Sequence, residues 1–350
     1  MEILHKTLKE YFGYDTFRNG QEEIIRSIMG GKDTLVVMPT GGGKSICYQL
    51  PSLITEGVAI VISPLIALMK DQVDSLNKLG IPATLINSSI NQGEIRRRIQ
   101  DSVQGKYKLM YIAPERLESK RFMKQIRQLK ISFLAVDEAH CISEWGHDFR
   151  PAYLNISSKL QEIGDFPVIA LTATATPEVR KDITKQLKMN DPAEFVRGFD
   201  RPNLKYITEK TKNKGEYIAK LIKKTNEGST IIYCGSRKKV ERISVELKSF
   251  NVPNEIYHAG MQPIVRKTVQ ERFLKGETKV IIATNAFGMG INKPDVRNVI
   301  HVDYTQTLEA YYQEAGRAGR DDKPSNCVLL FQPGDIFLQH YFIDVTNPDE

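Results

Sequence analysis

The feature that most constrains the fold is an alternation of short apolar runs with amphipathic stretches. Apolar runs bounded by Gly, Pro, Ser or Thr predict buried strands. In the first part of the chain they lie at 34–38, 58–63, 108–113, 133–136 and 168–173. Strands that are apolar throughout are typical of a parallel sheet covered by helices on both faces. The first part of the chain therefore predicts an α/β domain.

The alternation stops at DPAEFVRGFDRPNLKY, residues 191–206, where two prolines, a glycine and several charges predict a connection. It then resumes, with predicted strands at 229–234, 279–284, 299–303 and 326–331 and predicted helices at 237–249, 263–275 and 307–316. At roughly 150 residues per domain, a chain of this length fits two domains. We predict two α/β domains, residues 1–200 and 201–345.

Composition limits the kinds of partner, the cellular location and the cysteine chemistry that we expect. The chain has 350 residues, is 41% hydrophobic and carries a formal net charge of +7, which is compatible with a polyanionic partner. Its longest apolar run, residues 58–69, is too short to span a bilayer, so we expect a soluble, cytoplasmic protein. The four cysteines are far apart and form no C-x-x-C pair, so we expect buried cysteines and no zinc.

A strand, a glycine-rich turn and a helix follow one another in TLVVMPTGGGKSICYQL. Glycines let backbone N–H groups close around phosphate oxygens, while a lysine reaches the β and γ phosphates and a serine ligates Mg²⁺. The strict pattern has glycine where Met38 stands, so this is a variant phosphate loop. The predicted nucleotide-binding residues are Thr40, Gly41, Gly42, Gly43, Lys44 and Ser45.

Two acids follow the apolar strand in AVDEAH. We expect Asp137 to hold magnesium through water and Glu138 to orient or deprotonate the attacking water. Parallel α/β sheets collect such loops at one edge, which favours this interpretation over a solvated acidic turn.

An aromatic and basic segment comes directly after these acids and includes Trp145, the single tryptophan of the chain. Aromatic faces stack on bases whatever the sequence, for about 1–3 kcal/mol per base. We hypothesise that Trp145 and Phe149 contact single strand, while Glu144, His147 and Arg150 relay its presence to Glu138. The alternative from the pattern alone is that both aromatic side chains belong to the core.

These motifs carry a family resemblance. TGGGKS with DEAH resembles the signature of superfamily 2 helicases. The segments FGYDTFRNGQEEII, SPLIALMKDQV, YIAPERL, AVDEAHCISEWGHDFRPAY, LTATAT, IIYC, YHAG, ATNAFGMGINKPDVR and YYQEAGRAGRD resemble, in order, the motifs of RecQ-type DNA helicases. The likeness runs from about residue 8 to about residue 335. It implies two RecA-like domains of the P-loop NTPase class, with ATP in the cleft between them.

The resemblance also implies roles for individual residues. An upstream motif reads adenine, with Tyr14 stacking and Arg18 and Gln21 hydrogen-bonding; packing of Tyr14 on a helix is the alternative. Arg317 and Arg320 are predicted one turn apart on a helix end. Arg320 would act as the arginine finger, and Arg317 would be a γ-phosphate or coupling partner. The remaining implied nucleotide contacts are Gln313, Gly288 and Asn292.

Further strand contacts follow from the same resemblance, although each residue alone is also a plausible cap or turn residue. The implied strand-binding and coupling residues are Ser63, Lys70, Arg116, His140, Thr172 and Thr174. His258 and His301 are instead expected to be buried histidines with satisfied hydrogen bonds, because no second ligand stands near them at metal spacing.

The resemblance thus implies the core of an ATP-dependent DNA helicase that moves 3′ to 5′, and we expect it to be without the family's zinc-binding and winged-helix domains. Its expected partners are Mg²⁺-ATP and single-stranded or forked DNA, with no membrane, and it acts as a monomer in repair and recombination beside single-strand-binding or repair proteins. Two alternatives stay open. One is a DEAD/DEAH-type RNA helicase, and the other is an ATP-switched clamp that grips strand without stepping.

Overall fold

The computed structural model describes residues 2–146, 148–198, 200–225, 227–288, 291 and 293–336. The chain forms two compact units, residues 1–199 and 200–350. Each unit is an α/β structure, as the sequence predicts.

The first unit is built on a seven-stranded sheet in which every pairing is parallel. Its strands are β1 Thr34–Val37, β2 Val58–Ile62, β3 Ala83–Ile86, β4 Leu109–Ile112, β5 Ile131–Val136, β6 Val168–Thr172 and β7 Ala193–Val196, in the spatial order β3-β4-β2-β5-β6-β1-β7. The five predicted strands are confirmed and occupy the five interior positions of this sheet.

Helices cover both faces of this sheet and enclose two apolar clusters, one on each face. Their bounds are α1 Glu2–Thr7, continued by a π-helical turn Leu8–Phe12, α2 Gln21–Met29, α3 Ile46–Ile54, α4 Ile66–Lys78, α5 Gln92–Val103, α6 Lys120–Ile126, α7 Ile156–Gln161 and α8 Pro177–Gln186. Short 3₁₀ turns lie at Pro114–Glu118, Ala139–Ile142 and Pro151–Tyr153.

The second unit has a six-stranded, all-parallel sheet. Its strands are β8 Leu204–Lys210, β9 Ser229–Tyr233, β10 Glu255–Tyr257, β11 Val280–Ala283, β12 Val296–His301 and β13 Ser325–Phe331, in the order β10-β11-β9-β12-β13-β8. Its helices are α9 Lys214–Lys224, α10 Arg237–Ser249, α11 Pro263–Lys275 and α12 Leu308–Ala315, with a 3₁₀ turn at Pro333–Asp335. The three helices predicted in this part are confirmed.

The segment 191–206 is more ordered than predicted. It contains β7, which pairs with β1, and it reaches into β8, which pairs with β13. Both strands have a neighbour on one side only, so alternate side chains stay exposed and the sequence lacks the continuous apolar run of an interior strand. The prediction of a plain connection was wrong for this reason.

The strand order determines where functional loops meet. In the first unit β2, β5, β6 and β1 are consecutive neighbours. Because all four are parallel, the loops that follow Ile62, Val136, Thr172 and Val37 leave the sheet at one edge. All four cysteines are buried, as predicted. Within the described part of the chain, no helix is long and apolar enough to cross a membrane.

Candidate active site

The glycine-rich loop connects β1 to α3. Gly41 and Gly43 both have φ of +81°, a region that L side chains rarely adopt. A Cβ on Gly43 would lie 2.4 Å from Nε2 of Gln21, so a larger residue here would displace the Gln21 side chain as well as strain the backbone. The Lys44 ammonium turns back over the loop and donates to the carbonyls of Met38 and Pro39 at 3.0 and 3.3 Å. The geometry is that of a tight phosphate-type loop.

Two of the three predicted adenine-reading residues are fastened to this loop. Arg18 donates to the Gly41 carbonyl at 2.6 Å, and Gln21 donates to the Gly43 carbonyl at 3.1 Å. The Gln21 side chain also accepts from the Arg18 backbone amide at 2.8 Å, so the pair forms one unit. Tyr14 is 55% exposed, which argues against the packing alternative and leaves its ring accessible for stacking.

The two acids lie in the turn directly after β5. The pKa of Asp137 is raised to about 7. Burial is the main cause, the Glu138 carboxylate adds to it, and the Lys44 ammonium opposes it. Glu138 has φ of +49°, an unusual backbone conformation for a residue with a side chain. Its Oε2 atom is buried and accepts no hydrogen bond among the described residues. A buried carboxylate oxygen with no donor is a suitable acceptor for a proton from water.

His140 joins the acids to the end of β6. Its Nδ1 lies 3.5 Å from Oε2 of Glu138 and 2.9 Å from the Thr172 hydroxyl, which donates to the Thr174 carbonyl at 3.0 Å. The side chains of His140 and Thr172 are both buried. The Thr172 hydroxyl is therefore committed to bonds inside the protein, which supports a linking role rather than the implied phosphate contact.

The aromatic segment behind the acids projects one ring into solvent. Trp145 is 81% exposed, whereas Cys141, Ile142 and Ser143 just before it are buried. The alternative that this tryptophan belongs to the core is therefore wrong. Glu144 is exposed and Phe149 is half-buried.

Arg150 anchors the far end of this segment. It donates through Nε and Nη2 to Asp148 at 3.1 and 3.0 Å, and through Nη1 to the carbonyl of Pro64 at 3.1 Å. Pro64 follows Ser63 after β2, so the guanidinium connects the aromatic segment to a second loop at the same sheet edge. Neither the contact with Asp148 nor the contact with Pro64 was predicted from the sequence.

The other residues of the first unit that were predicted to contact single-stranded DNA differ in their exposure and in their hydrogen bonds. Lys70 is exposed on α4, and the hydroxyls of Ser63 and Thr174 are buried without a partner among the described residues. Arg116 donates to the backbone carbonyls of Asn87 and Ile90. Its visible contacts thus hold a neighbouring loop, and its role toward a strand stays a prediction.

The arginines of the second unit follow α12 rather than lying on it. The helix ends at Ala315, and Arg317 and Arg320 lie in the turn after it. The prediction that both arginines lie on the helix was wrong, because the helix ends before Gly316 and Gly319 has φ of +52°. Gln313 is on the last turn of α12 and is half-buried.

Arg317 is 4% exposed. Burial raises the pKa of the Tyr233 hydroxyl against the opposing effect of the nearby Arg317 cation. The Tyr233 hydroxyl donates to the Phe287 carbonyl at 2.8 Å, which fixes the loop containing Gly288 next to Arg317. Arg320 is half-buried.

The histidines expected to be buried with satisfied hydrogen bonds, His258 and His301, have different surroundings. His258 is buried as expected, but neither ring nitrogen has a hydrogen-bond partner among the described residues, so the prediction of a satisfied histidine was wrong. His301 bonds through Nε2 to Glu314 at 2.8 Å, but its Nδ1 is buried without a partner among the described residues, so that expectation holds for one ring nitrogen only. His147 and Asn292 lie outside the described residues.

Tyr153 is a residue whose part in the site the sequence reasoning missed. It is fully buried and donates its hydroxyl to the Asp137 carbonyl at 3.1 Å, which holds the acidic turn from below. The signal was its position sixteen residues after Asp137 in a segment already identified as important.

The donor set fits a magnesium nucleotide. Magnesium takes few protein ligands, usually a carboxylate and a hydroxyl beside phosphate oxygens. Asp137 and Ser45 carry groups of these two kinds, and Lys44 carries a cation of the kind that suits phosphates; their roles stay a prediction. Among the described residues no three His, Cys, Asp or Glu side chains group together as a metal site, so the expectation about zinc stays a prediction.

Comparison with known families places both units. Residues 18–183 match the DEAD/DEAH box helicase family, and residues 213–322 match the helicase conserved C-terminal domain.

Curated relatives match nearly the entire chain. The ATP-dependent DNA helicase RecQ of Bacillus subtilis (strain 168) is 49% identical over 353 residues, covering 99% of this chain and 60% of that protein. The probable ATP-dependent DNA helicase RecS of the same organism is 42% identical over 351 residues, covering 99% of this chain and 70% of that protein. The chain spans little more than half the length of the RecQ relatives it matches.

Solved structures share the fold. A point variant of Dbp5 from S. cerevisiae, bound to RNA and ADP BeF3, matches with a TM-score of 0.75 at 19% identity, covering 100% of this chain and 92% of that one. At this identity the likeness concerns the fold alone.

Proposed function

Since the chain belongs to the RecQ family of DEAD/DEAH box helicases, we propose that it is the motor core of an ATP-dependent DNA helicase. In this proposal, binding of single-stranded DNA stimulates ATP hydrolysis, and hydrolysis drives movement 3′ to 5′ and unwinding of duplex. The protein would act as a monomer on single-stranded or forked DNA in the cytoplasm, in repair and recombination and beside other repair proteins.

The observation that carries the proposal is a connected path at one edge of the first sheet. It runs from the phosphate-type loop to Asp137 and Glu138, and through His140 to Thr172 and Thr174. The segment that follows the same acids exposes Trp145. The proposed nucleotide site and the proposed surface for single-stranded DNA thus lie on one continuous segment of chain.

Each group has a role in the proposed reaction. Tyr14, Arg18 and Gln21 hold the base, and residues 40–45 hold the phosphates. Glu138 accepts the proton of the attacking water, whose oxygen forms the new bond to the γ-phosphorus as the bond to the β–γ bridging oxygen breaks. Ser45 and Asp137 would hold a magnesium ion, which when bound would supply positive charge to the phosphates. Arg317 and Arg320 of the second unit stabilise the charge that spreads over the transferred group.

Steady-state ATPase measurements test the proposal. The rate is measured without nucleic acid, with single-stranded DNA and with RNA of the same length and sequence, beside Glu138→Gln. We expect strong stimulation by DNA that disappears in Glu138→Gln while ATP binding is retained. Equal stimulation by RNA would favour the RNA helicase, and strand binding without turnover would favour the clamp.

A second measurement tests direction. Streptavidin is bound to a biotin at either end of a single strand, and its displacement is followed with ATP present. A motor that moves 3′ to 5′ displaces it from the 5′ end only. Displacement from the 3′ end would contradict the proposed direction.

A further inference from the structure

The turn Gly316–Asp322, called here the arginine turn, follows α12 and contains Arg317 and Arg320. The last carbonyls of a helix and of a turn after it lack partners within the helix and need donors from elsewhere. In this turn the carbonyls of Gly316 and Gly319 receive those donors from residues more than a hundred positions upstream.

Arg201 supplies two of the donors. Its guanidinium donates through Nη1 to the Gly316 carbonyl at 3.0 Å and through Nη2 to the Gly319 carbonyl at 2.5 Å. The side chain is 8% exposed, and burial lowers its pKa. Burying a cation costs folding free energy, so we expect the placement of Arg201 under this turn to serve the function of the turn.

Asn203 holds the same turn from the adjoining position. Its Nδ2 donates to the Gly319 carbonyl at 2.8 Å and to the Lys323 carbonyl at 3.1 Å. The backbone carbonyl of Asn203 accepts a hydrogen bond from the backbone amide of Ser325 at 2.9 Å, which aligns the start of β8 with β13. A Cβ at Gly319 would meet Nδ2 of Asn203 at 2.5 Å, so the turn and this amide are in close contact.

The two carbonyls held by Arg201 have a specific relation to the two arginines. A carbonyl and the N–H of the next residue share one rigid peptide plane. The Gly316 carbonyl therefore fixes the plane that leads into Arg317, and the Gly319 carbonyl fixes the plane that leads into Arg320. One guanidinium therefore holds the peptide plane that precedes each of the two arginines.

Arg297 closes the turn from its other end. It donates to both carboxylate oxygens of Asp321 at 2.6 and 2.5 Å and to the Ser325 hydroxyl at 3.1 Å. The Gly319 amide donates to the Val296 carbonyl at 2.9 Å. The backbone of the turn is thus fixed from two sides while the side chain of Arg320 stays half-buried.

We propose that Arg201 and Asn203 are positioning residues for hydrolysis, holding the arginine turn so that Arg317 and Arg320 are directed at the transferred phosphate. This inference rests on the proposed function. It gives the segment FDRPNLKY, which the sequence reasoning took for a connection between domains, a place in the chemistry.

The test uses Arg201→Lys and Asn203→Ala in the full chain. Lysine keeps the charge but cannot fork between two carbonyls. We expect each variant to lower the DNA-stimulated kcat about 10-fold, because small misplacements of a catalytic group are costly, with KM for ATP and strand affinity changed less than about 2-fold. Arg272→Lys, an exposed arginine of α11 paired with Glu255, is the matched control and should behave as the unchanged protein.

A double-mutant cycle separates positioning from general destabilisation. If Arg201 acts through the arginine turn, adding Arg201→Lys to Arg320→Ala should lower kcat less than about 2-fold further, because residues that act as a unit are non-additive. A full additional loss in the double variant would overturn the proposal.

Amide hydrogen exchange supplies a readout that does not depend on turnover. Exchange over residues 316–323 should accelerate in Arg201→Lys and Asn203→Ala, while exchange in α10 stays unchanged. Unchanged protection of the turn would overturn the inference whatever the ATPase shows. Accelerated exchange in a protein that strand does not stimulate would instead retain the positioning contact and reject the proposed function.

Discussion

At the scale of single residues, the site combines groups whose environments work against stability. Asp137 is buried, its pKa is raised, and the adjoining Glu138 holds an unusual backbone angle. Such features persist where the surrounding structure fixes them, here the Tyr153 hydroxyl below and the Glu138 amide, which donates to Asp137 at 3.0 Å. Function at this turn is expected to cost folding free energy.

Asp137→Asn should therefore stabilise the protein in the absence of magnesium and nucleotide. A carboxyl with a raised pKa binds more protons in the folded than in the unfolded state, so stability falls as pH rises from the ordinary value of about 4 towards 7. Asparagine lacks this titration, and we expect a gain of about 1–2 kcal/mol near pH 8 that shrinks below about pH 5. Thermal unfolding across this pH range measures it.

Asp321→Asn is the control with the opposite sign. Burial alone would raise the pKa of Asp321, but hydrogen bonds from Arg297 and the Lys323 amide outweigh it and lower the pKa. Its contribution to stability is present at neutral pH and lost as pH falls through the folded-state pKa. The asparagine variant should be less stable at neutral pH, and an Asp137→Asn protein no more stable than the unchanged chain would contradict the argument.

Trp145→Ala tests the proposed strand contact. Because the ring is 81% exposed, its removal should change the free energy of unfolding by less than about 0.5 kcal/mol. ATPase without nucleic acid and ATP affinity should be retained, whereas stimulation by single-stranded DNA should be lost. Phe250→Ala, at a 37% exposed aromatic in the second unit, is the control. Persistent stimulation in Trp145→Ala would refute the sensor role.

At the scale of elements, the limits of prediction follow sheet position. The nine strands predicted from apolar runs are the nine interior strands. The four missed strands, β3, β7, β8 and β10, are the four sheet edges. An edge strand pairs on one side only and keeps polar residues, as in LKYITEK of β8, so it lacks the apolar run that marks an interior strand.

Contacts between elements were predictable only in outline. The phosphate loop and the acids were expected at one sheet edge because parallel strands end together. The adjacency of β5 and β6 that brings His140 to Thr172, 32 residues later, depends on strand order, which periodicity does not give. Arg201 reaches the arginine turn across 115 residues, beyond any local pattern.

Thr172→Val tests the link between these elements. Valine fills the same space but removes the hydroxyl, leaving His140 Nδ1 and the Thr174 carbonyl without this buried partner. We expect a loss of about 1–3 kcal/mol in the free energy of unfolding, measured by denaturant titration. Thr208→Val, on the exposed side of β8, should cost less than about 0.5 kcal/mol. Equal effects at the two sites would show that the buried link contributes little.

At the scale of the whole molecule, two all-parallel sheets each gather their functional loops at strand ends, and the chain has a net charge of +7. The described residues proposed to touch single-stranded DNA offer aromatic faces, hydroxyls and cations. Such a surface binds through stacking and phosphate charge, so affinity should depend on salt and hardly on sequence.

This predicts a specific salt dependence for strand binding. Each phosphate contact on a single strand contributes about 0.7 to the slope of log affinity against log salt, through release of counterions. Lys70→Gln should lower that slope by about this amount, because Lys70 is exposed in the first half of α4, the helix that follows the Pro64 carbonyl to which Arg150 donates. Lys78→Gln, at the other end of the same helix, should leave the slope unchanged. Fluorescence anisotropy with oligonucleotides of different sequence measures both, and equal slopes for the two variants would place the strand away from the start of α4.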